Sequence, residues 1–92
     1  MIRLVKFIIS GSVQGVGFRF FTYQKAIKIG LVGYVKNLDN GDVEIVVQGS
    51  SHQISSMTQW LNQGGPRSAN IVKINIYELS SKENLTSFNV RY

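Results

Sequence analysis

The chain has 92 residues, 43% of them hydrophobic, enough for one compact domain that buries roughly 60 to 68% of its unfolded surface. It contains no cysteine, which excludes disulfides, thiolate zinc sites and a cysteine nucleophile together and points to a reducing compartment. Ten Lys and Arg against five Asp and Glu give a formal charge of +5; such a surface attracts nucleic acid, acidic membrane or small phosphorylated metabolites, but basic residues scattered without a run equally suit a merely soluble protein.

The opening stretch, MIRLVKFIIS, has too short an apolar run for a signal peptide and breaks at Ser10. No later window approaches the ~18 apolar residues of a membrane span, so the expectation is a cytoplasmic protein without membrane association. Val5, Phe7 and Ile9 alternate over residues 3–10 and predict a half-buried strand. From Phe18 to Ile29 the period changes: Phe18, Phe21, Ala26 and Ile29 recur at helical spacing, and Gly30 supplies a left-handed stop. LVGYVKNL and DVEIVVQG flank Asn40 and Gly41, the signature of a tight hairpin. Ile54, Met57 and Leu61 predict a second amphipathic helix that ends before GGPRSA, where Pro66 forbids continuation. Alternation through Val72, Ile74 and Ile76 predicts another strand, and a polar loop, SSKENLTS, leads to a short last strand in FNVRY.

This order predicts an α+β, ferredoxin-like split βαβ (βαββαβ) sandwich over residues 1–92, with an antiparallel sheet, two helices on one face and a short extra C-terminal strand. In that topology the first two strands run parallel with the third between them, so both open at the same edge. Residues 11–17, Asn37 and GGPRSA gather there, with Arg67 facing the edge or hydrating its loop, whereas His52 falls at the opposite end.

The stretch GSVQGVGFR holds Gly11, Gly15 and Gly17 between the first strand and the first helix. Glycines let such a loop curl so that its N–H groups, continued by the free N–H groups of the helix start, converge on an anion. Arg19, in the first helical turn, offers a planar fork for two phosphate oxygens. A dinucleotide G-x-G-x-x-G is excluded because Phe20 stands where its third glycine belongs, and a nucleotide P-loop because no GK[ST] follows. From spacing alone the loop is equally a plain strand-to-helix turn with a solvated arginine, and Asn37 reads as an ordinary residue before the hairpin turn.

The sequence resembles the acylphosphatase family. Its first motif, G-x-V-Q-G-V-x-F-R, is matched by Gly11, Val13, Gln14, Gly15, Val16, Phe18 and Arg19, and its second, G-x-V-x-N, by Gly33, Val35 and Asn37. GGPRSA and FNVRY extend the similarity over nearly the whole chain. The resemblance implies hydrolysis of a carboxyl–phosphate anhydride to a carboxylate and inorganic phosphate. Its implied catalytic residues are Arg19 and Asn37, with the phosphate held by the loop at Ser12, Val13, Gln14, Gly15, Val16, Gly17, Phe18 and Arg19. It implies a reaction without metal; no cofactor and no nucleic-acid or membrane partner are expected, the chain is expected to be a monomer, and inorganic phosphate, which fits the same cradle, is expected as product and competitive inhibitor.

The implied chemistry is consistent with so few residues. A carboxylate leaves unprotonated at neutral pH, so no general acid is required, and phosphoryl transfer is catalysed chiefly by positioning and charge stabilisation. An asparagine amide both accepts and donates, so Asn37 can orient a water. His52 has no carboxylate or serine adjacent in sequence, and Asp39, Asp42 and Glu44 read as turn and solvent-face residues in preference to a magnesium cluster. Trp60, Phe20, Phe21 and Tyr23 read as core or helix-surface packing, and Thr22 as packed or bonded back to its helix. The rival function is an RNA-recognition-like module of the same element order. It needs exposed aromatics on the central strands, and the third strand turns Asp42, Glu44, Val46 and Gln48 outward instead.

Overall fold

The computed structural model describes residues 1–80 and 84–92, so the polar loop expected over 80–87 lies partly outside the described residues. The expected order is present as β1 (Ile2–Ser12), α1 (Phe18–Ile29), β2 (Val32–Asn37), β3 (Val43–Ser50), α2 (Ser51–Asn62), β4 (Asn70–Leu79) and β5 (Phe88–Arg91). The strands form one sheet in the order β4-β1-β3-β2-β5. Alternation of Val5, Phe7 and Ile9 with Val43, Ile45 and Val47 gives the sheet one apolar face, against which Phe18, Ala26, Ile54, Met57 and Leu61 of the helices are buried.

In one respect the sheet departs from the expected purely antiparallel arrangement. β5 pairs parallel with β2, from Gly33 opposite Phe88 to Lys36 opposite Arg91. Chain direction explains this: β4 finishes beside the start of β1, with Leu79 opposite Leu4, at the end where β2 also begins. A strand entered from that end runs alongside β2 in the same sense.

Two packing expectations are also corrected. On α1 the buried residues are Phe18, Thr22 and Ala26, spaced i, i+4 and i+8, while Phe21 is 42% exposed. Phe21 sets its ring edge against Phe20, and a side chain at Gly17 would touch that ring, so it covers the loop rather than the core. In β4 the alternation is interrupted by a bulge: Ser10 lies opposite Lys73 but Gly11 opposite Ile71. Val72 is thereby thrown outward, 75% exposed, and Ile71 packs on the core in its place. Gly11, at φ 131°, is required there, because a Cβ would strike the Asn70 carbonyl.

The second helix begins as a capping box. Gln53 N–H donates to Ser50 Oγ at 3.2 Å and Ser50 N–H to Gln53 Oε1 at 2.8 Å. Gln53 Nε2 then donates to the carbonyls of Ile29 and Gly30, tying this start to the end of α1. Across the open face of the sheet long cations lie over aromatic rings: Arg91 is 3.8 Å from the Tyr34 ring centre and Lys6 5.3 Å from that of Tyr77. Between Lys6 and Tyr34, Val46 is buried despite its outward parity.

Thr22 is fully buried and its hydroxyl meets no hydrogen-bond partner among the described residues. Thr22→Val keeps the shape and removes that desolvated group, so it is expected to stabilise the fold by about 1 kcal/mol, seen as a higher urea midpoint with unchanged slope. A lower midpoint would show that the hydroxyl has a partner the account lacks.

Candidate active site

The site is assembled by the central strand. Val43 of β3 pairs with Ile9 of β1 on one side and with Asn37 of β2 on the other. Ile9 and Asn37 therefore stand level, two strand spacings or roughly 10 Å apart, with β1 running on to Ser12, and Asn37 shares the helix-bearing face with Ile9 and Val43. Beyond β1 the chain turns over that edge into α1, with Gly15 at φ 75° and Gly17 at φ 79°. Both are left-handed conformations that side chains rarely adopt, and they curl the loop back on itself.

Gly17 caps α1 without any side-chain hydrogen bond, and no acidic residue occupies the first turn. Among the described residues the first amides of the helix thus carry their partial positive charge with no side-chain cap or first-turn acid to absorb it. Between loop, helix start and β2 lies a pocket of about 250 Å³ lined by Val13, Gly15, Gly17, Phe18, Arg19, Phe20, Asn37, Val90 and Tyr92. This is below the roughly 300–1,000 Å³ of drug-sized sites and suits a small anion with a short substituent.

Arg19 is held from behind. Its Nη1 donates to the Arg91 carbonyl at 3.2 Å, and its guanidinium carbon lies 4.6 Å from the centre of the Tyr92 ring. Stacking and one fixed hydrogen bond orient the fork while most of its donors remain for a ligand. Asn37 contributes an amide whose Oδ1 is buried and accepts no hydrogen bond from the described residues. A buried acceptor without a donor costs about 1–3 kcal/mol, the situation of a site that takes up a water or ligand hydrogen.

Val13, Gly15, Gly17, Phe18, Arg19 and Asn37 are thus brought together, while Ser12, Gln14 and Val16 lie outside the pocket lining. Ser12 closes β1 opposite Asn70. Gln14 turns its side chain away, donating from Nε2 to the carbonyls of Leu38 and Asp42 at 2.8 Å each. The Val16 carbonyl accepts from Ser68 Oγ at 2.6 Å, which fastens GGPRSA to the loop and places Arg67, exposed, on the expected edge. His52 lies in the first turn of α2, beyond the end where Ser50 pairs with Ile2, opposite the loop.

The acids take the roles of turn and surface. Asp42 Oδ2 accepts from Asn40, and Glu44 accepts the Tyr34 hydroxyl on the open face. Among the described residues no group of three or more His, Cys, Asp or Glu could hold a metal ion, and no helix is long and apolar enough to cross a membrane. Sequence reasoning missed Phe20, Val90 and Tyr92 as pocket walls and the Arg91 carbonyl as the anchor of Arg19. The signal was present in FNVRY, but only the parallel course of β5 shows that its end reaches the loop.

The family model described as acylphosphatase matches residues 5–90. An acylphosphatase of Pasteurella multocida (strain Pm70) is 46% identical over 87 residues, covering 95% of this chain and 96% of that protein. The crystal structure of acylphosphatase from Bacillus subtilis superposes with a TM-score of 0.90 at 36% identity, covering 100% of both chains. That of an acylphosphatase from Coxiella burnetii gives 0.87 at 38% identity, over 98% of this chain and 93% of the other.

If the pocket is an anion cradle, inorganic phosphate binds the folded state only. It is expected to stabilise the protein by about 2.7 kcal/mol at a hundredfold excess over its Kd, read as a higher unfolding temperature, and to have no such effect on Arg19→Ala. An equal rise in both proteins would move the anion out of this pocket.

Proposed function

Because this chain belongs to the acylphosphatase family and is an enzyme that cleaves the carboxyl–phosphate bond of acyl phosphates, we propose that Arg19 and the loop hold the phosphate while Asn37 positions the attacking water. One observation carries the reading: the guanidinium of Arg19, the glycine-curled loop and an Asn37 amide with an unmet acceptor line a single pocket.

The loop residues that line the pocket, Val13, Gly15, Gly17 and Phe18, and the open start of α1 offer amides to the phosphoryl oxygens, and Arg19 binds two of them with its fork. As the bond to the carboxylate loosens, charge spreads over the equatorial oxygens, which donors held by the fold stabilise with little reorganisation. The leaving carboxylate departs as a stable anion and takes no proton. Asn37 orders a water opposite the leaving oxygen by accepting one of its hydrogens. An amide is too weak a base to remove that proton, so the proton passes to a phosphate oxygen as the phosphorus–oxygen bond forms.

None of these steps draws on a metal ion, a cofactor or a covalent intermediate. The same reading makes inorganic phosphate both product and competitive inhibitor and the working unit a monomer. The absence of cysteine suits the reducing cytoplasm. Small acyl phosphates are the substrate class that the pocket volume supports.

Hydrolysis of an aryl acyl phosphate is expected to survive excess chelator, with little action on simple phosphate monoesters, whose alkoxide leaving groups need the acid this site lacks. Loss of acyl phosphate cleavage on chelation would contradict the metal-free mechanism.

The two polar residues are expected to fail differently. Arg19→Ala loses both phosphate affinity and turnover, the latter by at least the roughly 10²- to 10³-fold of a missing oxyanion donor. Asn37→Ala loses turnover while phosphate still inhibits at nearly the parent concentration. Near-normal turnover in folded Asn37→Ala would remove the water from Asn37's keeping.

A further inference from the structure

Gln14 stands in the middle of the anion loop, yet its side chain does not line the pocket. It reaches across to the neck of the β2–β3 hairpin and donates both hydrogen bonds of one nitrogen, Nε2, to the carbonyls of Leu38 and Asp42 at 2.8 Å. The neck is itself closed by Leu38 N–H donating to Asp42 O at 2.8 Å and Gly41 N–H to Leu38 O at 3.2 Å. Both sites that Gln14 meets are acceptors, so only a side chain with two forked donors at this reach satisfies them. Glutamate would face two carbonyls with no proton, and asparagine is one methylene shorter.

The neck begins one residue after Asn37. β3 sets the height of Asn37 through its pairing with Val43, but Asn37 is the last residue of β2, and the Leu38–Asp42 bond beyond it closes the hairpin on itself without tying it to the loop. The carboxamide of Gln14 spans that gap and grips the backbone on either side of the reversal. Taking the roles of loop and Asn37 given above as its premise, we propose that Gln14 is a positioning residue: its two hydrogen bonds set the distance between the phosphate loop and Asn37, and so place the water that Asn37 holds in line with phosphorus. Phosphate binding does not depend on that distance, whereas attack does, and misplacement of about 1 Å can cost up to about 10²-fold in rate.

The test is a double-mutant cycle on the full chain with an aryl acyl phosphate as substrate. Gln14→Leu removes both donors at similar volume and is expected to lower kcat about 10- to 100-fold, with the inhibition constant of inorganic phosphate within about twofold of the parent. In the Asn37→Ala background, where no water is held, the same substitution is expected to lower kcat by less than about twofold, since it acts through Asn37. Gln14→Met, which keeps an unbranched stem, serves as the second variant and is expected to behave alike.

Independent losses that multiply in the double mutant, or weaker phosphate inhibition with unchanged kcat, would overturn the proposal. So would failure of both variants to reach the parent's circular dichroism spectrum, which would make Gln14 a support of the fold. Normal turnover in Asn37→Ala alone would instead remove the premise, and that result is read separately in the same cycle.

Discussion

Everything at the site depends on one pairing constraint, the double partnership of Val43. A central strand hydrogen-bonded on both sides fixes the level of both neighbours, and here it fixes Ile9 and Asn37 across from the same residue. The side-chain period of a strand is two, so a slip of one residue in β2 would turn Asn37 to the open face and put Lys36 against the core. Burial of Val35 and Ile45 on the helix side opposes that slip with the transfer energy of the whole apolar face. The positions of loop and asparagine are thus held by the core, two of whose members, Val13 and Phe18, also line the pocket.

With the frame fixed, the site needs few parts. A helix start without a side-chain cap and with no acid in its first turn gives up a stabilisation of about 1 kcal/mol that such caps commonly supply. The same omission leaves its amides for an anion. Arg19 is steadied from the far side by β5, whose parallel register sets Arg91 opposite Lys36, one residue short of Asn37. The chain's last residues accordingly arrive at the catalytic edge. An antiparallel β5 would have delivered them to the opposite end, where His52 lies.

The element order and the common edge of loop, Asn37 and GGPRSA were legible because they follow from apolar periodicity and chain direction. The long glycine motif added the chemistry. What escaped the sequence depends on contacts that no period encodes. Thr22 takes a buried place that its neighbour Phe21 would claim on hydrophobicity, because Phe21 is drawn over Gly17. Val72 is expelled by a bulge whose cause, the missing side chain of Gly11, lies on another strand. Gln14 sits within the motif, but its bond to the hairpin joins residues 24 and 28 positions away. Such pairings become visible only when the register is known.

The central claim is that loop and Arg19 grip the phosphoryl group so that water meets phosphorus and not the carbonyl carbon. The most direct measurement is single-turnover hydrolysis of an acyl phosphate in ¹⁸O-water, with excess enzyme and mass analysis of both products. The account requires the label in inorganic phosphate and none in the carboxylate. Label in the carboxylate would place the attack on carbon and contradict it.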